Sequence, residues 1–166
     1  MLRKLTQKDI DNIFLLDSNP EVMKYVGVPP VTNKQESAKM IENIINQYEK
    51  NETGRLAVIE IESNQFIGWS GIKLLTEEVN GFKNVYELGY RFLPEFWGKG
   101  YATESAIASL DLGFNQLNTD KIYAYADVGN ESSNRILTKL GFENKGTFLD
   151  KGDICNWYEL EKNNRK

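Results

Sequence analysis

The sequence predicts a layered α/β domain on a mixed sheet of about seven strands, and three observations point there. Stretches with strand chemistry alternate with stretches of helical periodicity, in the order strand, two helices, three strands, helix, strand, helix, two strands. The chain has 166 residues, enough for one core, with no repeat and no linker, so residues 1–166 read as one domain. The run from Val85 to Leu117, VYELGYRFLPEFWGKGYATESAIASLDLGFNQL, reads as strand, glycine turn and helix, and the rest is arranged around it.

Taken in order, Leu2 to Leu5 is a short edge strand. Thr6 and Asp9 open a helix whose apolar side is Ile10, Ile13, Phe14 and Leu16, and Ser18-Asn19-Pro20 breaks it. Glu21 to Tyr25 is a helical turn, and Val26 to Val31 is loop. Asn33 or Thr32 caps a second helix with Ala38, Ile41, Ile44, Ile45 and Tyr48 on one face. Arg55 to Glu62 and Gln65 to Leu75 form an antiparallel hairpin around Ser63-Asn64. Gly68 and Gly71 inside the second strand predict a bulge or a close neighbour.

Val85 to Leu93 is the central strand, and Pro94 ends its pairing. In the following helix Ala102, Ala106, Leu110 and Phe114 make the apolar face, flanked by Ile107 and Leu117. Glu104, Ser105, Asp111 and Asn115 are placed on the other side. Lys121 to Val128 is a strand, Glu131 to Leu140 a short helix, and Gly141 its left-handed terminator. Lys145 to Leu149 and Ile154 to Leu160 are the last strands. Residues 161–166 are a polar tail that frays.

Composition narrows the chemistry. There is no histidine, which removes Ser-His-Asp and Cys-His mechanisms and most transition-metal sites, and no metal site is expected. The single cysteine, Cys155, forms no internal disulfide and reads as a small buried filler. A net charge of −4 argues against nucleic acid as a partner. No apolar run approaches the ~18 residues of a membrane span, and MLRKLTQKDI lacks an apolar signal core, so the chain is expected in the cytoplasm.

The turn Trp97-Gly98-Lys99-Gly100-Tyr101-Ala102 leaves its backbone N–H groups uncovered by side chains, at the positive end of a helix dipole. Such a junction is either a pyrophosphate cradle or a plain connector. A P-loop is excluded, because Lys99 is followed by Gly100 and the Gly-x-x-x-x-Gly-Lys-Ser/Thr pattern is absent. The run resembles the acetyl-CoA-binding motif of the GNAT superfamily of N-acetyltransferases, Gln/Arg-x-x-Gly-x-Gly/Ala, on Trp97-x-x-Gly100-x-Ala102. Trp97 departs from the usual Gln or Arg. The form WGKGYATE is similar to the branch of ribosomal-protein N-terminal acetyltransferases of the Rim type. The segment from Asn130 and Ser133 through Leu137 to Lys139-Leu140-Gly141-Phe142 resembles the second GNAT signature.

The resemblance covers most of the chain and implies a mostly antiparallel sheet, helices on both faces, and a central parallel pair, Val85–Leu93 and Lys121–Val128, that splays to admit the cofactor arm. It implies acetyl transfer from acetyl-CoA to an amine acceptor, a small molecule or a protein N-terminus. Cofactor contacts fall on Phe92 and Leu93 through main chain, on Trp97, Gly98, Lys99, Gly100, Tyr101, Ala102 and Thr103 at the turn, and on Asn130 and Asn134. Thr103 is equally a first-turn helix residue, Lys99 equally a solvated one, and Asn130 an ordinary N-cap.

Direct attack requires the amine to lose a proton and the thiolate to gain one. Glu87 is the candidate base, a carboxylate in an otherwise apolar strand. It shares a face with Gly89 and Arg91, so a solvated residue or an ion pair with Arg91 is the competing reading. Many GNAT enzymes carry a tyrosine acid in the helix of this second signature. Asn130 to Phe142 has none, which leaves Ser133 or water near the sulfur. Tyr25, Trp69, Tyr90 and Trp157 are either acceptor-pocket walls or core. A non-catalytic acyl-CoA-binding sensor or scaffold is the alternative, and exposed strand edges leave room for a homodimer.

Overall fold

The computed structural model describes residues 1–164. The twelve regular elements are β1 (Leu2–Lys4), α1 (Ile10–Asp17), α2 (Pro20–Met23), α3 (Lys34–Asn51), β2 (Gly54–Ile59), β3 (Phe66–Leu75), β4 (Val85–Phe92), α4 (Tyr101–Gln116), β5 (Lys121–Asp127), α5 (Glu131–Lys139), β6 (Glu143–Asp150) and β7 (Asp153–Glu161). They form one seven-stranded sheet in the order β1-β2-β3-β4-β5-β7-β6. Every neighbouring pair is antiparallel except β4 and β5. The expected mixed sheet with a central parallel pair is therefore present. Of the expected polar tail, Glu161 completes β7 and Lys162–Asn164 make a 3-10 turn; its last two residues lie outside the described ones.

Helix starts follow capping chemistry. Thr6 and Asp9 form a reciprocal capping box ahead of α1, and Asn33 accepts from the Glu36 N–H at the start of α3. α3 ends where Glu52 turns left-handed. The sheet separates two apolar layers. On one side α1 and α3 cover Ala57, Ile67 and Trp69; on the other α4 and α5 cover Ile72, Leu88, Ile122 and Ala124.

α4 differs from the sequence expectation in which side it buries. Ser105 is buried with Ala106, Ser109, Leu110, Gly113 and Phe114, while Ile107 is exposed. The buried side is chosen for closeness rather than greasiness. A Cβ on Gly113 would stand 2.2 Å from Ile72 Cδ1, and Ser109 Oγ meets Ser70 Oγ of β3 at 3.2 Å. Small residues let the helix axis approach the sheet, and the hydroxyls satisfy each other inside.

Both expectations about β3 glycines hold. Opposite β2 the register slips between Val58 and Ile59, leaving Ile67 as the extra residue of a bulge beside Gly68. A Cβ at Gly68 would lie 2.2 Å from Arg91 O, and one at Gly71 2.5 Å from Gly54 O. Neighbouring backbones occupy that space, so β3 can sit flush between β2 and β4.

Candidate active site

After β4 the chain makes a 3-10 turn, Pro94–Phe96, and then a tight turn. Trp97 is extended (φ −70, ψ 152) and Gly98 left-handed (φ +73), the pair of angles that puts glycine third in a type II turn. Gly100 (φ +89) is the N-cap of α4. The first bond of the helix is Glu104 N–H to Gly100 O, 3.0 Å. Among the described residues no group accepts from the amides of Gly98, Gly100, Tyr101, Ala102 and Thr103. A Cβ on Gly98 or Gly100 would meet nothing within 4 Å. The turn therefore exposes a row of unsatisfied donors at the positive end of a 16-residue helix.

Trp97 explains its own departure from Gln or Arg. Its Nε1 donates to Phe92 O at 2.8 Å, clamping the strand end to the turn, with the ring half exposed. Tyr101 reaches back instead, donating its hydroxyl to Glu60 Oε1.

β4 and β5 share one registered pair, Glu87 opposite Tyr123. Beyond it they diverge. Leu93 N–H donates to Ile67 O, which fixes the alternation along β4 and points the peptide groups of Tyr90 and Phe92 toward the gap. Leu93 turns its own N–H away from the gap to Ile67 O, and its carbonyl accepts from Phe96 N–H. At the gap the Tyr90 hydroxyl meets Ser133 Oγ at 3.1 Å and donates to Ser133 O at 3.3 Å. Burial pushes the Tyr90 hydroxyl's ionisation up, only partly offset by Ser133, so it remains a proton donor. Asn130 caps α5, its Oδ1 accepting from Ser133 N–H at 3.1 Å.

A groove of about 1110 Å³ joins these parts. One end is walled by Phe92, Gly98, Gly100 and Tyr101 to Thr103, the middle by Tyr90, Asn130 and Ser133. The far end holds Arg55, Trp69, Lys73, Glu87 and Tyr125.

Glu87 is 4 % exposed, neither solvated nor paired with Arg91 as the competing reading had it. Arg91 pairs with buried Asp17 of α1 at 2.5 Å. Glu87 Oε2 accepts from Arg55 Nη2 at 2.5 Å, and Arg55 Nη1 also donates to Gly71 O and Glu87 O at 2.5 and 3.1 Å. Gly89 makes this pairing feasible, because a Cβ there would sit 2.5 Å from Arg55 Nη2. Both guanidinium groups also stack on the Trp69 ring, at 5.0 and 5.1 Å. Glu87 Oε1 has no hydrogen-bond partner among the described residues.

Most predicted residues converge on the groove, but Lys99, Leu93 and Asn134 do not line it. Lys99 lies over the Phe96 ring at 5.3 Å. Asn134 is consumed internally: Nδ2 donates to Asp127 O and Asn130 O at 2.8 Å, and Oδ1 accepts from Asn156 and Tyr158. Its work is to brace β5, α5 and β7. Of the four aromatic candidates Tyr25, Trp69 and Tyr90 line the groove, whereas Trp157 is buried among Phe82, Tyr123, Tyr125 and Phe148. Cys155 borders the groove with its thiol pushed up to about 11, first by burial, then by Asp150, Asp127 and Asp153. Sequence reasoning missed Arg55, Lys73 and Tyr125. Arg55 carried a usable mark: it is the one charge in β2, an otherwise apolar strand.

The donor row fits a diphosphate in chemistry and in space, and the splayed pair beside it leaves a slot for an extended arm. Known proteins agree with that fit. The acetyltransferase (GNAT) domain matches residues 1–143. An uncharacterised N-acetyltransferase, p20, of Bacillus licheniformis is 32% identical over 161 residues, 95% of this chain and 88% of that protein. Spermidine N(1)-acetyltransferase of Escherichia coli K12 is 30% identical over 157 residues, 95% of this chain and 80% of that one. A GNAT-family acetyltransferase structure from Bacillus anthracis superposes with a TM-score of 0.79 at 25% identity, covering 98% of this chain and 94% of the other. The open amide row, the parted strands and these relatives lead to one assignment: the chain belongs to the GNAT family and is an acetyl-CoA-dependent N-acetyltransferase.

Proposed function

We propose that the protein moves the acetyl group of acetyl-CoA to a primary amine by direct attack in a ternary complex. The observation that carries this reading is the row of unbonded amides from Gly98 to Thr103 beside the divergence of β4 and β5. Those amides hold the diphosphate, with Thr103 and Trp97 at its sides, and the peptide groups of Tyr90 and Phe92 guide the arm. Acetyl-CoA supplies the thioester carbonyl. Glu87 Oε1 takes the proton from the amine, directly or through one water, while Arg55 fixes the other carboxylate oxygen. The hydroxyls of Tyr90 and Ser133, already in contact, carry a proton toward the departing thiolate. Tyr90 thus supplies from β4 the phenol that α5 lacks. The E. coli relative named for spermidine supports a small amine as acceptor rather than a protein N-terminus.

Gly100→Glu tests the cradle by calorimetry. A carboxylate aimed at a diphosphate costs several kcal/mol, so acetyl-CoA affinity should fall about 30-fold or more. Gly100→Ala controls for backbone strain at φ +89. Unchanged affinity in Gly100→Glu would overturn the assignment.

A further inference from the structure

Arg55, Arg91, Lys73 and Lys151 bring positive charge to the acceptor end of the groove, and the two arginines are accounted for. Arg55 is paired with Glu87 and Arg91 with Asp17. Lys73 is not: its Nζ makes no ion pair or hydrogen bond with any described residue, although it lines the groove. β3–β4 register sets Lys73 directly across from Glu87, on the same face. Its ammonium is drawn up by the Glu87 charge, but burial and the like charges of Arg55, Lys151 and Arg91 outweigh that pull, so its ionisation is lowered. A half-buried cation without a counter-ion is costly unless something arrives to meet it.

Across the gap, Tyr125 presents a second unpartnered donor. Its hydroxyl has no hydrogen bond among the described residues and lines the same space. Burial, then Glu87 and Asp150, push its ionisation up, so it stays protonated.

The space is also roofed. A Cβ on Gly27 would lie 3.3 Å from Asp153 Oδ2, and one on Gly129 3.4 Å from Tyr25 Cε1. The segment after α2 therefore leans on the β6–β7 turn and on the loop before α5. A chamber bridged in this way suits a small molecule better than the end of a folded protein.

We infer that Lys73, with Tyr125, takes the carboxylate of a small amino-acid-like acceptor whose amine lies at Glu87. The inference rests on the acetyl-transfer reading above. Directly opposed residues of a hydrogen-bonded antiparallel pair stand about 5.5 Å apart at Cα, a span that one amino-acid-sized molecule bridges. Such an acceptor neutralises the surplus cation and delivers its nitrogen to the carboxylate in the same act. A polyamine would place a further positive charge beside Lys73.

The test pairs free L-amino acids with their carboxamides, and adds spermidine, as acceptors with the full-length protein and acetyl-CoA. At least one free acid should exceed its amide in kcat/KM by about 30-fold or more. In Lys73→Gln that ratio should fall about tenfold or more, through KM rather than kcat, and Lys73→Arg should restore part of it. Calorimetric titration of the same acid into the protein–CoA complex should lose its signal in Lys73→Gln. Preference for spermidine or the amides, or an equal acid-to-amide ratio in parent and Lys73→Gln, overturns the inference while leaving acetyl transfer intact. Failure of the parent to bind acetyl-CoA at all overturns both.

Discussion

Removing Arg55 is the sharpest perturbation of the site's framework. Arg55 and Glu87 are 7 % and 4 % exposed, and their Nη2–Oε2 contact is 2.5 Å. Arg55→Met keeps an unbranched stem but strands the Glu87 carboxylate, and takes a donor from Gly71 O and Glu87 O. Breaking a buried pair from one side costs about 3–5 kcal/mol. The stack on Trp69 adds little, because Arg91 still covers that ring. For a chain of this size each kcal/mol moves the melting temperature ~2–4 °C, so Arg55→Met should melt roughly 6–20 °C below the parent. The double variant Arg55→Met/Glu87→Leu removes the stranded charge as well, and should recover most of that loss without recovering turnover. Calorimetry on the parent, the double variant and the two single variants, Arg55→Met and Glu87→Leu, closes the cycle. An Arg55→Met protein melting within about 2 °C of the parent would refute the argument. So would a double variant no more stable than the single one, for then the stranded carboxylate was never the cost.

Asp9 gives a pH dependence of known sign. Burial alone would raise its carboxyl, but the Arg3 hydrogen bonds, the Thr6 amide and Asn12 outweigh it and hold it at about 2. A depressed carboxyl stabilises fully above its unfolded value and loses that contribution as pH falls through the folded one, so melting should drop between about pH 4 and 2. Asp9→Asn should be less stable than the parent at neutral pH and show a shallower fall across that window. Tyr90→Phe removes the contact with Ser133 and should cost about 1 kcal/mol, ~2–4 °C in the melt, and slow turnover more than it weakens acetyl-CoA binding. A variant that melts lower but turns over like the parent would leave the hydroxyl a structural role alone.

What the sequence revealed about the fold was what local chemistry decides. Thr6, Asn33 and Asn130 cap where they stand, and Gly98 and Gly100 supply the left-handed angles of the turn. The strand-turn-helix run was legible because all its parts are within one stretch of chain. The Glu87 partner was not, because two arginines could reach that face. The choice depends on β2 lying where Gly71 and Gly89 leave passage for Arg55, and on Asp17 claiming Arg91. Asn134 misled for the opposite reason. The resemblance gave it a cofactor contact, but β7 brings Asn156 and Tyr158 to its side-chain oxygen. Ser105 reads as a surface residue by polarity, and only the close approach of α4 to β3 explains its burial.

The common thread is β4, whose alternate residues do separate jobs. Leu88 packs in the α4–α5 layer and Tyr90 against both layers, on the side where we propose the cofactor arm, while Phe92 closes the strand in the α1–α3 layer. Glu87, Gly89 and Arg91 face α1 to α3, where we propose the acceptor. A slip of one residue would exchange the two sets and put a carboxylate into the apolar layer. The register therefore decides which side chains reach each layer, and its guards are the glycines that admit no side chain. At Gly68 a Cβ would strike Arg91 O, and at Gly71 the β2 backbone. Because β5 meets β4 at one residue pair only, β3 alone sets that register. The strand that parts from β5 is thus held in register from the other edge, where the glycines of β3 let neighbouring backbones pack closest.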